Sequence, residues 1–102
     1  MSEEMFSGTF GEMDLIERHI RMLRATKENQ PVGIIRLSEL LDIPKHKVRY
    51  SLRLLERDGL ITATQDGAVV TEKYEAFMSE LSKELDRIVD KVNEIRDVVS
   101  HQ

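Results

Sequence analysis

The chain contains no cysteine, only two prolines, and no apolar run of the length that a membrane span requires. Without cysteine, disulfides and thiol catalysis are excluded and zinc-finger chemistry is not expected. A transmembrane helix needs about 20 consecutive apolar residues, so no membrane partner is expected. The chain does not open with a basic stretch followed by an apolar one, and we expect a cytoplasmic protein.

Recognisable catalytic patterns are also lacking. We find no nucleophile–base pair, no paired carboxylates, no phosphate-binding loop and no metal-ligand spacing. We therefore expect no enzyme, no catalytic residues, no cofactor and no metal site. The 102 residues, of which 40% are hydrophobic and 33% charged, suit one globular domain with a single modest core.

Positive charge is scarce overall but concentrated in one place. The net charge is −4, which by itself argues against a nucleic-acid partner. Residues 31–58, however, carry six bases and four acids, a net of +2, whereas residues 72–102 carry five bases and eight acids, a net of −3. Residues 43–55 hold four bases and no acid. The distribution of charge matters more than its total for nucleic-acid binding.

Pro31, Pro44 and Gly59 mark the ends of three predicted helices. The apolar spacing predicts a first helix over residues 13–28, and Pro31 follows its end. A short helix over residues 34–41 is broken before Pro44, which fits the start of a third helix that runs to Arg57. Asp58 and Gly59 then form a helix stop.

Residues 60–70 have the pattern of a β-hairpin, and a long helix without glycine or proline follows. The expected fold is therefore mainly α with a small β-hairpin wing. We predict three regions, which are a flexible N-terminus over residues 1–12, a winged-helix DNA-binding domain over 13–71, and a coiled-coil dimerisation helix over 72–102.

This order of elements carries a family resemblance. Residues 55–61 read Leu-Glu-Arg-Asp-Gly-Leu-Ile, and residues 70–73 read Val-Thr-Glu-Lys. Both segments resemble signatures of prokaryotic winged-helix transcriptional regulators, and short archaeal members most of all. The resemblance covers about residues 15–75 and implies DNA binding through the third helix. One position departs from the family, because Asp42 stands in the turn where glycine is usual.

The outward face of the third helix is the predicted DNA-binding site. With Val48, Leu52 and Leu55 placed against the core, a rotation of about 100° per residue turns the basic residues outward. The N-terminal part of such a helix docks in the major groove of double-stranded DNA, where arginine and lysine contact guanine edges and phosphates. The predicted DNA-binding residues are Lys45, His46, Lys47, Arg49, Tyr50 and Arg53. The plain alternative is a solvated helix face.

The last helix has an uninterrupted heptad pattern of apolar residues. Their spacing alternates between four and three, which is typical of a coiled coil, and so long a stripe needs a partner, most simply a second copy. The predicted dimerisation residues are Tyr74, Met78, Leu81, Leu85, Ile88, Val92, Ile95 and Val99. The alternative is that this helix folds back on its own domain, with Phe77, Val89 and Val98 widening the stripe.

The charges beside this stripe favour an antiparallel pair. A parallel dimer would set Lys91 opposite Arg96 of the second copy, a repulsive contact, and would place isoleucine at positions that prefer leucine. An antiparallel register that pairs Leu85 with Ile88 places Glu84 near Lys91 and Glu75 near Arg96.

Three functions remain open from the sequence. The first is a transcriptional regulator that binds two half-sites as a homodimer. The second is an architectural chromosomal DNA-binding protein, against which the net charge of −4 counts. The third is a protein-interaction winged helix without DNA affinity, which an acidic wing tip at Asp66 keeps open.

Overall fold

The computed structural model describes residues 2–101, with side chains for residues 4–101. Four helices and one hairpin follow each other along the chain. Their bounds are α1 Ser2–Asn29, α2 Ile34–Leu41, α3 Lys45–Arg57, β1 Ile61–Thr64, β2 Gly67–Val70 and α4 Tyr74–Ser100. The predicted fold class, mainly α with a hairpin wing and a long C-terminal helix, is confirmed.

Helix α1 begins at Ser2 and not at Met13, so the predicted start of this helix is wrong. Gly8 and Gly11 lie inside α1, where a glycine costs only about 1 kcal/mol. Phe6 and Phe10, one helical turn apart, have ring centroids separated by 6.4 Å, which is an ordinary contact for this spacing. The flexibility expected for residues 1–12 stays a prediction.

The second half of α1 supplies the centre of the hydrophobic core. Met22 and Leu23 are fully buried, whereas Ile16, which the apolar spacing placed on the core face, is exposed. The core face therefore starts later along α1 than the sequence predicted. The buried apolar residues of the described chain are Met22, Leu23, Ala25, Val32, Leu37, Val48, Leu55, Leu60, Ile61 and Ala68.

The turn between α2 and α3 is made at Asp42. Asp42 adopts the left-handed conformation, with φ 53° and ψ 50°, which explains why glycine is the usual residue at such a turn. Ser38 fixes the turn from inside, because its hydroxyl donates a 2.6 Å hydrogen bond to the carbonyl of Ile43. The turn thus forms here with aspartate in place of the usual glycine.

The hairpin pairs β1 and β2 antiparallel, with Ile61 opposite Val70 and Thr64 opposite Gly67. Val32 forms an isolated bridge beside β2 that the sequence did not reveal, because its amide and carbonyl both bond to Ala68, at 3.1 and 2.8 Å. Gly67 has φ +134°, and a Cβ there would lie 2.7 Å from the backbone nitrogen of Val32. Only glycine fits at this crossing.

The chain divides into two compact units, the first ending at Glu72 and the second beginning at Lys73. The position of Thr71, shortly before the last helix, predicts an N-cap there, and this prediction is wrong. Its hydroxyl donates a 2.6 Å hydrogen bond to the carbonyl of Gly59, so it fastens the end of β2, and α4 begins at Tyr74. Among the described helices, none combines the length and the apolar character that crossing a membrane requires.

Candidate nucleic-acid interface

Helix α3 begins and ends at the residues that the sequence indicated. Pro44 precedes its first residue, where the missing amide proton is not needed. At the other end Gly59 takes the left-handed conformation, with φ 78°, and the amide of Leu60 bonds to the carbonyl of Leu55 at 2.9 Å. The bond closes the helix and directs the chain into β1.

One face of α3 is packed against the rest of the first unit. Val48, Ser51 and Leu55 are buried, while Leu52 is half-buried. Helices α1 and α2 and strand β1 contact this helix. Packing on these elements fixes the rotation of α3 about its axis, and so determines which side chains point away from the core.

All six predicted DNA-binding residues are exposed on α3. Five of them, together with Arg18 of α1, line a surface cleft of about 500 Å³. The five are His46, Lys47, Arg49, Tyr50 and Arg53. Lys45 lines a second cleft with Arg36 and Glu39 of α2, and Arg49 lines both clefts. The structure therefore places five of the six around one cleft, and Lys45 beside Arg49 in the next.

Four cations of α3 differ from most of those on the other long helices in having no acidic partner among the described residues, whereas Arg57 at its end pairs with Asp58 at 3.7 Å. Among the side chains of residues 4–101, no carboxylate lies within ion-pair distance of Lys45, Lys47, Arg49 or Arg53. By contrast, α1 and α4 hold five internal pairs, namely Arg21–Glu17, Arg24–Glu28, Lys83–Glu80, Arg87–Glu84 and Lys91–Glu94. The outward face of α3 is thus an uncompensated positive surface in an acidic protein.

Arg18 is a member of this surface that the sequence analysis missed. Its Nε donates a 3.1 Å hydrogen bond to the hydroxyl of Ser51, and its guanidinium carbon lies 5.8 Å from the centre of the Tyr50 ring. No signal in the order of residues joins positions 18 and 50. Only the packing of α1 on α3 brings them together.

His19 also contacts the site, although no role there was predicted for it. Its ring lies 6.2 Å from that of Tyr50, and neither ring nitrogen has a hydrogen-bond partner among the described residues. Burial, reinforced by the neighbouring positive charge of Arg18 and opposed by Asp58, lowers the pKa of His19 from its ordinary value of 6.5. The lowered pKa favours the neutral imidazole beside the Tyr50 ring. Within the described part of the chain, no cluster of side chains could hold a metal ion.

The tip of the wing contributes no positive charge. Thr64 closes the turn by donating a 2.6 Å hydrogen bond to the carbonyl of Gly67, and its hydroxyl accepts a bond from the amide of Asp66 at 3.3 Å. Asp66 itself is exposed and would repel phosphate. This arrangement favours a structural role for the wing.

The predicted dimerisation residues follow one stripe of α4, and none of them is buried. Tyr74, Met78 and Leu81 are half-buried. The other five are exposed, from 37% at Ile88 to 62% at Val99, with Leu85, Val92 and Ile95 between these values. Val89 and Val98, which would widen the stripe, are exposed as well.

Comparison with known proteins shows a similar fold among solved structures and no match to a protein family. No model of a known protein family matches the chain, and no curated protein matches its sequence. Among solved structures, the activation domain of the phage T4 transcription factor MotA is similar, with a TM-score of 0.58 and 16% identity over 78% of this chain and 82% of that one. The chain has the fold of a transcription-factor domain. At this identity the likeness concerns the fold alone, and the archaeal type suggested by the sequence stays a prediction.

Proposed function

We propose that the chain is a transcriptional regulator of archaeal type that binds double-stranded DNA as a homodimer. The observation that carries the proposal is the unpaired positive surface of α3. Lys45, Lys47, Arg49 and Arg53 have no described carboxylate partner, whereas the cations of α1 and α4 are largely neutralised. A protein with a net charge of −4 that keeps four cations unpaired on one helix has a surface suited to an anionic partner.

Base edges in the major groove and the flanking phosphates are the expected contacts. The planar guanidinium groups of Arg49 and Arg53 suit phosphates as well as guanine edges, and the two lysines suit the backbone. Tyr50 is 45% exposed and offers a ring for thymine methyl groups. No step in this role needs a catalytic group, a cofactor or a metal ion, and we propose a cytoplasmic binding protein that is not an enzyme.

The homodimer forms, in this proposal, through the heptad stripe of α4. The exposed part of the stripe, from Leu85 to Val99, supports it, since a continuous apolar stripe exposed to water is typical of an interaction surface. We further propose the antiparallel register that pairs Leu85 with Ile88 of the second copy. In a single chain Glu84 and Lys91 are held by Arg87 and Glu94, so the pairs between copies would form by exchange and would select orientation more than they add stability.

Salt dependence of DNA binding tests the main proposal. Eight phosphate contacts in a dimer would give a slope of about −7 for the logarithm of the binding constant against that of salt. Affinity for duplex DNA should then fall about ten-thousandfold between about 50 and 200 mM salt. The variant Arg49→Gln/Arg53→Gln should roughly halve the slope, whereas Lys83→Gln/Arg87→Gln, which removes the same charge from α4, should leave it unchanged. Absence of binding at low salt would refute the proposal.

Engineered cysteines test the orientation of the dimer, because the natural chain has none. Met78→Cys and Ile95→Cys lie in one core layer of the antiparallel pair. Mixed in solution and oxidised, the two variants should cross-link to each other, and neither should form a disulfide with itself. Disulfides between identical positions would show a parallel pair instead.

A second candidate is a protein-interaction domain. The similar phage domain is described as an activation domain, and the acidic wing tip of this chain offers nothing to DNA. This function predicts no duplex affinity at any salt concentration and partner binding that changes little with salt. An architectural chromosomal role would give DNA binding without sequence preference, which footprinting on genomic DNA distinguishes from regulation.

A further inference from the structure

Arg18 is fixed in place by a buried residue of the helix next to its own. Its Nε bonds to the hydroxyl of Ser51 at 3.1 Å, and Ser51 is fully buried. A guanidinium has five N–H donors, and this bond uses the one on Nε. The four donors on the terminal nitrogens have no acceptor among the described side chains. An arginine held through Nε is ready to bind an anion through its other edge.

Tyr50 holds the same guanidinium from a second direction. The central carbon of the Arg18 guanidinium, Cζ, lies 5.8 Å from the centroid of the Tyr50 ring, within the range of a cation–π contact. The ring in turn lies beside His19 at 6.2 Å. Arg18 is therefore restrained by a hydrogen bond and an aromatic ring, and less side-chain entropy is lost when it binds a ligand.

The cleft in front of Arg18 is lined by basic and aromatic groups only. Its volume is about 500 Å³, and the other lining residues are His46, Lys47, Arg49, Tyr50 and Arg53. No carboxylate lines it, whereas the neighbouring cleft along α1 includes Asp14, Glu17 and Asp42. Of the two clefts that Arg18 lines, this one suits a phosphate group.

We propose that Arg18 and the cleft between α1 and α3 bind a phosphate group of the DNA backbone. The inference rests on the proposed function, because it takes the ligand of α3 to be DNA, and it extends the interface to a helix outside the helix-turn-helix. Arg18 contacts a phosphate beside the groove that α3 enters. Ser51 is a positioning residue, since it is buried and acts through the guanidinium that it holds.

Substitution of Arg18 tests this assignment in the full-length protein. Arg18→Gln removes two phosphate contacts from a dimer, so the salt slope should become less steep by about 2 and duplex affinity should fall roughly 50-fold at about 0.1 M salt. Arg21→Gln is the matched control, because Arg21 lies on the same helix but is paired with Glu17 at 2.8 Å. It should bind DNA like the natural chain.

Ser51→Ala separates positioning from charge. It keeps the arginine but removes its anchor, so we expect weaker binding with an unchanged salt slope. Melting temperatures of all variants show whether the first unit is still folded. An Arg18→Gln protein that is folded and binds duplex DNA with the natural affinity and slope would overturn the backbone contact.

A second arm distinguishes the source of the phosphate. Inorganic phosphate at millimolar concentration is added without DNA, and the melting temperatures of the natural chain and of Arg18→Gln are compared. We expect little difference, because a single phosphate lacks the other contacts of DNA. Stabilisation that depends on Arg18, with duplex affinity unchanged by the substitution, would replace the backbone contact by a site for free phosphate. If the natural chain binds no DNA, the proposed function fails, and this arm still reports on the cleft.

Discussion

Helices α3 and α4 both carry an apolar stripe, but the chain covers only one of them. In α3, Val48 and Leu55 are buried by α1, α2 and β1. In α4, which is twice as long, no residue is buried. The same kind of pattern in the sequence thus has two outcomes, because a stripe is buried only where the chain supplies elements to pack against it. The comparison supports the proposal that α4 associates with a second copy, whereas α3 packs within its own unit.

The polar faces of the two helices differ in the opposite sense. Charges on α4 pair with each other along the helix, as Arg87 does with Glu84 at 2.9 Å, while the cations in the first three turns of α3 have no such partner. Surface pairs of this kind contribute only a few tenths of a kcal/mol to stability. They matter here because they show which charged faces are neutralised and which are not. Each helix thus has one face without a partner among the described residues. In α4 it is the exposed part of the apolar stripe, and in α3 it is the cationic face.

The largest expected effect comes from a charge placed in the stripe of α4. Ile88→Asp would put two carboxylates into one seam of the dimer, each costing several kcal/mol to bury without a partner. The dimer should weaken at least about a thousandfold, and sedimentation at micromolar concentration should give a monomer. Asn93→Asp adds the same charge outside the stripe and should sediment like the natural chain. An Ile88→Asp dimer would contradict the role given to α4.

A cavity in the core behind α3 should act differently. Leu55 is only 5% exposed, and truncation of a buried leucine to alanine costs about 2–5 kcal/mol. Leu55→Ala should therefore lower the stability of the first unit, measured by urea denaturation, to the same extent at every protein concentration. Ile88→Ala, its counterpart in α4, should lower stability in a way that depends on concentration. Equal behaviour of the two variants would remove the distinction between the helices.

The smallest expected effect concerns the ring beneath Tyr50. Because burial lowers the pKa of His19 below 6.5, the folded protein favours the neutral imidazole and the unfolded chain takes up the proton first. Stability should therefore fall as the pH drops below 6.5 and level off below the lowered pKa of the folded state. His19→Gln should lose this part of the pH dependence in thermal melts at pH 7.5 and 5.5. A curve identical to that of the natural chain would contradict it.

Local signals in the sequence predicted most of the fold. Pro44, Gly59 and the apolar spacing of α3 act through a few neighbouring residues, and that helix begins and ends where they indicated. The predicted start of α1 was wrong because the apolar spacing that indicated this helix covers only its second half. The N-cap predicted at Thr71 was wrong because its hydroxyl bonds to the carbonyl of Gly59, twelve residues earlier in the chain, and not to the helix that follows.

The residues of the candidate site also divide into those with a local signal in the sequence and those without one. The basic residues of α3 are visible in the sequence because they share one helix and one period. Arg18 and His19 could not be predicted, since their part in the site depends on the packing of α1 beside Tyr50. The bridge between Val32 and Ala68 beside the hairpin was missed for the same reason. Contacts between elements distant in sequence have no local pattern.

Sedimentation of the natural chain with a duplex of about two helical turns, which two half-sites would occupy, tests the central claim most directly. We expect a complex of two chains on one duplex at low salt, and its dissociation as salt rises. In the Arg49→Gln/Arg53→Gln variant the dimer should persist, while its complex with DNA should dissociate at much lower salt than that of the natural chain. Two chains that remain a dimer but never sediment with DNA at low salt would contradict the account.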